Sequence, residues 1–195
     1  MQKKLIAAGA LLASLWFTPS AQAASGGALT TETAATLTPN AYVWRDKSQS
    51  GEIRVVVSIA DQRAYVYRDS TLIAASAVST GKEGKETPAG VYPILQKNKD
   101  HRSNLYNAAP MPFMQRLTWD GIAIHAGRNP GFPASHGCIR VPAAFAAKLF
   151  AITQVGTTVE VTEDSVDLAA SPDTVPETAT AAEANATQLA SLGPR

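Results

Sequence analysis

A chain of 195 residues with one cysteine and three histidines has few nucleophilic or metal-binding side chains to distribute. The single thiol, Cys138, has no intramolecular partner, so no disulfide framework staples the fold. Aromatic residues make up 7% of the chain and the formal net charge is +1. Nothing there marks a nucleic-acid partner, and none is expected. Beyond Phe17 no apolar run approaches the roughly 20 residues that a bilayer span needs, so no membrane span is expected in the mature chain. What the N-terminus does carry is an export signal. Lys3 and Lys4 precede an apolar run from Leu5 to Phe17, Pro19 breaks the run, and Ala21-Gln22-Ala23 forms an A-x-A cleavage site. Residues 1–23 are therefore expected to be removed, and no cysteine follows at which a lipid anchor is expected.

Without Lys3 and Lys4, 15 basic residues stand against 16 acidic ones, and that near-balance hides a separation. Residues 163–195 hold six acidic and one basic, whereas residues 51–162 hold twelve basic and eight acidic. The acidic tail, 163–195, has no aromatic residue and is rich in Ala, Thr, Ser, Glu and Pro, a composition expected to stay disordered. The Thr- and Ala-rich residues 24–50 read as a flexible lead-in, with Tyr42 to Trp44 able to dock on the domain. The remaining 51–162 suffices for one hydrophobic core.

Within that core Ile53, Val55, Val57 and Ile59 alternate as one face of a strand. Asp61-Gln62 and Asp69-Ser70 turn the chain into two further strands, Arg63 to Arg68 and Thr71 to Ser79. Thr87-Pro88-Ala89-Gly90 punctuates before a strand from Val91 to Leu95. Asp120-Gly121 turns into Ile122-Ala123-Ile124, which brings His125 to a strand end. Pro142 suits the first turn of a helix whose apolar stripe is Phe145, Leu149 and Ile152, and Thr157 to Val161 closes the domain as a strand. The expectation is a mostly β domain with one main helix, entered directly from the cysteine loop.

That loop reads ASHGCIRVP from Ala134 to Pro142. A free cysteine is ordinarily a small buried hydrophobe. Cys138, however, follows Ser135, His136 and Gly137 and precedes Arg140, a polar setting at a helix entrance. A thiol near an imidazolium and backbone N–H groups has a lowered pKa and reacts as a thiolate. His136 is close along the chain and suits positioning of the loop. His125 arrives from another strand and is expected to serve as general base and acid. Zinc is the competing use of His125, His136 and Cys138, but His-x-Cys lacks the usual ligand spacing, so no metal and no cofactor are expected.

IHAGRNPGFPASHGCIRVP, Ile124 to Pro142, resembles the signature of the L,D-transpeptidase catalytic domain, also called the YkuD domain: a histidine, a loop, then Ser-His-Gly-Cys, an apolar residue, and Arg or Asn. STGKEGKETPAGVYPI, Ser79 to Ile94, resembles the strand and loop that lead into it. The resemblance covers roughly 51–162 and implies a β-sandwich-like fold. It makes Cys138 the acyl-accepting nucleophile and His125 its proton partner, held by the Ala126 carbonyl. Gly137 and Cys138 would offer N–H groups to a tetrahedral oxyanion, worth on the order of 3 kcal/mol each. His136 would line the site, and Arg140 would orient the loop or attract a substrate carboxylate. The interval from His125 to Ser135, ten positions, is shorter than is usual in the family, which implies more open grooves.

The resemblance further implies a donor, the tetrapeptide stem of peptidoglycan, and four outcomes for the thioester: 3→3 cross-linking, attachment of an outer-membrane lipoprotein, exchange of a D-amino acid, or hydrolysis. Each belongs to cell-wall organisation and cell shape, and with the export signal implies a periplasmic enzyme. The alternatives are a carboxypeptidase or amidase that hydrolyses stems, and a peptidoglycan-binding module without catalysis. Asn104 to Trp119, with Tyr106, Met111, Phe113 and Met114, is expected beside the cleft, with Tyr106 and Met114 as substrate contacts.

Overall fold

A computed structural model describes residues 29, 31–48 and 50–167. The expected signal, 1–23, and the tail from residue 168 onward lie outside the described residues. The elements run α1 (Thr31–Ala35), β1 (Tyr42–Trp44), β2 (Ile53–Ser58), β3 (Arg63–Arg68), β4 (Thr71–Ala77), β5 (Gly90–Pro93), β6 (Gln96–Arg102), β7 (Pro110–Arg116), β8 (Ala123–Ala126), β9 (Ile139–Val141), α2 (Ala143–Ile152) and β10 (Thr158–Thr162). They form a six-stranded sheet, β1-β4-β3-β2-β10-β5, and a four-stranded one, β6-β7-β8-β9. The fold is mostly β, with one main helix after the cysteine loop.

The three hairpin-linked strands, β2 to β4, pair antiparallel in sequence order. β10 then pairs parallel to β2, Val159 beside Val55 and Val161 beside Val57. Ile53, Val55 and Val57 join Ile124, Ile139, Val159 and Val161 in one core with Phe145 and Leu149 of α2. The helix carries no basic residue in its last turn. Lys97 of β6 fills that role, its Nζ donating to the Phe150 and Thr153 carbonyls at 2.7 and 2.6 Å.

The structure adds to or departs from the sequence reading at three points. Tyr42 to Trp44 dock as expected, β1 pairing with β4 and the Tyr42 and Trp44 rings meeting Phe145 edge-on at 5.9 and 5.7 Å, but the segment before them packs on the domain as well. The opposite face of the large sheet explains the rest, because Val56, Tyr65, Tyr67 and Ala75 lie there under Leu29 and Ala34. Arg63 holds the cover down by donating to the Ala34, Ala35 and Leu37 carbonyls at the end of α1. Second, the polar run at 96–102 is a strand and forms a hairpin with β7. It sits at a sheet edge and is exposed along most of its length, so it has no apolar face to betray it.

Third, the first residues of the expected tail, 163–167, pack on the domain. Ser58 Oγ donates to the Asp164 carbonyl at 2.8 Å, the Val166 N–H donates to Asp61 at 2.9 Å, and Val166 packs on the outer cluster. Burial opposes ionisation of Asp61, but hydrogen bonds from Ser165, Val166, Ser58 and Tyr65 outweigh it and hold the carboxyl below its usual range. A chain ended after Asp167 should therefore keep the denaturation midpoint of the full chain. One ended after Val161 should lose on the order of 2 kcal/mol in urea titration followed by circular dichroism, as three interactions of this latch go.

Candidate active site

The cysteine loop is pinned from both sides before it reaches β9. Ser135 is buried, and its hydroxyl accepts the Gly137 N–H at 3.0 Å and donates to the Cys138 carbonyl at 2.5 Å. Its backbone N–H donates to the Thr80 carbonyl, and its own carbonyl accepts the Lys82 N–H. Gly137 has φ +108°, and a Cβ there would fall 2.6 Å from Ile122 Cδ1, so no other residue fits without a shift. Thr87 Oγ1 donates to the Gly137 carbonyl at 2.8 Å and accepts the Gly81 N–H at 2.8 Å. Gln62 braces Thr80 with two further bonds. Thr87 and Gln62 were invisible as site residues in the sequence. The nearest signal was the Thr-Pro-Ala-Gly punctuation at 87–90, read there as a turn.

β8 and β9 pair parallel, with Ile124 beside Ile139, His125 beside Arg140 and Ala126 beside Val141. That register sets His125 in the strand next to the one that leaves Cys138. His125 is buried, and its Nδ1 lies 2.8 Å from the Ala126 carbonyl. A carbonyl accepts and does not donate, so Nδ1 carries the proton and Nε2 is the basic nitrogen. The Cys138 thiol, half-buried, donates to the Gly121 carbonyl at 3.4 Å and packs on Met111, Met114 and Ala123.

Both members of the pair are held neutral. Burial lowers the His125 pKa, the bond to Ala126 works against that, and the positive Arg140 and His101 add to the lowering. Burial likewise pushes the Cys138 thiol up, and the Ala123 N–H, Arg140 and Arg116 oppose this without overcoming it. The lowered thiol pKa expected from the sequence is thus reversed, because the sulfur is buried on the apolar side chains of Met111, Met114 and Ala123.

Both residues line one cleft of about 390 Å³, with Tyr106, Arg128, His136 and Arg140 around them. Tyr106, from the loop between β6 and β7, faces the exposed His136 ring at 4.8 Å between centroids. The Arg140 side chain has no hydrogen bond or ion pair among the described residues, so its charge is open to the cleft. Met114 is fully buried beneath the thiol and is not part of the cleft wall; Met111 is. Phe113, at φ +56°, breaks the alternation of β7 between them. The Gly137 N–H is already engaged by Ser135, which leaves the Cys138 N–H as the loop donor for an oxyanion. A second depression of about 360 Å³ adjoins the cleft and shares Leu105, Met111, Asp120 and Gly121 with it. Among the described residues no group of three or more His, Cys, Asp and Glu is placed to hold a metal ion.

Residues 52–161 match the L,D-transpeptidase catalytic domain, YkuD. The chain belongs to that family. Solved structures agree on the fold. An L,D-transpeptidase from Stackebrandtia nassauensis is 25% identical, with a TM-score of 0.53 over 60% of this chain and 58% of that one. A variant of the Enterococcus faecium L,D-transpeptidase with one cysteine changed to serine is also 25% identical, with a TM-score of 0.52 over 57% of this chain and 50% of that one. One from Mycobacterium smegmatis is 22% identical, with a TM-score of 0.53 over 58% of this chain and 59% of that one. The chain thus spans half to three-fifths of these neighbours' lengths. No curated protein matches it significantly.

The neutral pair has a measurable consequence. A raised thiol pKa means that thiolate, the alkylated form, accumulates only as pH climbs past the ordinary thiol value of about 8.5. Iodoacetamide labelling of Cys138, followed by intact mass against pH, should therefore show its midpoint above that value. A midpoint near pH 6 would instead mark a resting thiolate–imidazolium pair.

Proposed function

We propose that the protein is a cysteine-dependent L,D-transpeptidase that acts on peptidoglycan tetrapeptide stems through an acyl-enzyme on Cys138. The observation that carries the reading is the 2.8 Å bond from His125 to the Ala126 carbonyl, which fixes Nε2 as a base in the cleft that also holds the only thiol. As substrate enters, Nε2 takes the thiol proton and Sγ attacks the carbonyl that joins the L-centre of diaminopimelate to the terminal D-alanine. The Cys138 N–H donates to the oxyanion. Collapse breaks the C–N bond, the His125 imidazolium returns its proton to the leaving amine, and D-alanine departs. The free charge of Arg140 suits the carboxylate of that D-alanine.

An amine then attacks the thioester, with His125 again as base, and the thiol leaves. The adjoining depression, which shares Leu105, Met111, Asp120 and Gly121 with the cleft, is the approach assigned to this second nucleophile. A diaminopimelate side chain gives a 3→3 cross-link, a lipoprotein lysine gives anchoring, and a D-amino acid gives exchange. The signal at residues 1–23 supports a periplasmic site for this chemistry.

The test is mass spectrometry of a disaccharide-tetrapeptide incubated with the mature protein and with Cys138→Ala. Release of D-alanine with 3→3 dimers or exchanged stems, absent in the variant, is expected. Tripeptide alone would identify a carboxypeptidase, and an unchanged substrate in both samples would favour a binding module. One solved relative, LdtMt1, is in complex with imipenem, and the fold it shares with this chain makes that drug a second probe. Imipenem should add its mass to wild-type protein on the Cys138 peptide and leave Cys138→Ala unmodified.

A further inference from the structure

The loop from Gly127 to Ala134 carries Gly127 and Arg128 into the wall of the cleft and then runs back to the cysteine. Its two ends are tied to the body of the domain. The Gly127 N–H donates to the Val141 carbonyl, Ser79 Oγ donates to the Phe132 carbonyl, and the Ala134 N–H donates to the Thr80 carbonyl. The stretch between is held from outside the region that matches the family. Asn40 Nδ2 donates to the Asn129 carbonyl at 2.9 Å, and Asn40 Oδ1 accepts the Asn129 N–H at 3.1 Å. One side chain thus closes both backbone groups of a residue 89 positions away.

A second contact joins the same two segments. Gly131 has φ +98°, and a Cβ there would come 2.8 Å from Pro39 Cγ, so the glycine lets Pro39 seat directly on the loop. The loop needs this help. Asn129 is 2% exposed and its Nδ2 has no partner among the described residues, which burdens the local fold with a desolvated donor. The clasp itself is presented rigidly. Asn40 sits at φ +64°, between the end of α1, which Arg63 holds, and the Ala41 carbonyl, which accepts the Ala77 N–H.

We infer that Asn40 is a positioning residue that sets the cleft wall through Asn129 and so governs capture of the peptide substrate, not the reactivity of the thiol. This rests on the function proposed above for the identity of the substrate, though not for the clasp. The variant to make is Asn40→Gly, which keeps the left-handed backbone and removes the side chain. Amide hydrogen exchange on the full chain should show residues 127–131 exchanging at least about tenfold faster, with β2 to β4 unchanged. In steady-state assays with tetrapeptide, KM should rise several-fold while kcat and the rate of iodoacetamide labelling hold within about twofold. Asn40→Asp, which retains the acceptor for the Asn129 N–H, should fall between.

Loop amides that exchange at the wild-type rate would overturn the clasp. Faster exchange with unchanged KM, or a fall in kcat and labelling that matches the change in KM, would overturn its role in substrate capture. A wild-type protein that turns over no stem contradicts the proposed function and not the clasp, which exchange at Asn129 then decides.

Discussion

Three residue pairs between β8 and β9 hold the candidate site together. The parallel register of Ile124 with Ile139, His125 with Arg140 and Ala126 with Val141 places the base and the strand that follows the thiol side by side. Ile124, Ile139 and Val141 are fully or nearly fully buried in the core with Phe145 and Leu149, so the register cannot slip without moving the helix and both sheets. A connection of twelve residues joins the two strands and contains no helix. Its conformation is set instead by Thr80, Ser79, Thr87 and Asn40, which bond it from other parts of the chain.

The same burial that secures the geometry holds the reacting groups neutral. His125 loses solvation and Cys138 loses it too, and neither the Ala126 carbonyl nor the nearby arginines reverse the outcome. A thiol and a neutral imidazole are chemically quiet toward solutes at large. In the proposed mechanism they become reactive when a bound carbonyl and an oxyanion donor make proton transfer from sulfur to Nε2 favourable. On this reading activation of the nucleophile follows capture of the substrate, so the cleft wall sets how readily a stem is held and the pair sets how fast it then reacts.

Much of this was legible from residue pattern. β2, β3 and β4 announce themselves by alternation and Asp-containing turns, and α2 by a stripe of Phe145, Leu149 and Ile152 behind a proline. The types of residue in the cysteine loop mark it as the candidate site, and the cleft that holds His125 and Cys138 forms around it. β6 was not legible, because an edge strand bathed in solvent on both faces has no reason to alternate. Met114 was misplaced because its burial comes from Ala123 and Cys138, far along the chain; it lies beneath the thiol, and Met111 is the methionine that lines the cleft. The direction of the thiol pKa depends on Met111, Met114 and Ala123 converging from distant strands, and no local pattern reports that. Asn40 looked like one polar residue in a loose lead-in, since its partner lies across the whole domain.

The account turns on a thioester at Cys138, and acid-quenched peptide mapping tests it most directly. Wild-type protein caught during turnover of a disaccharide-tetrapeptide should yield the Cys138 peptide with a tripeptide stem attached, and hydroxylamine should remove it. D-alanine accumulating while that peptide stays unmodified at every time sampled would contradict a covalent route through the cysteine.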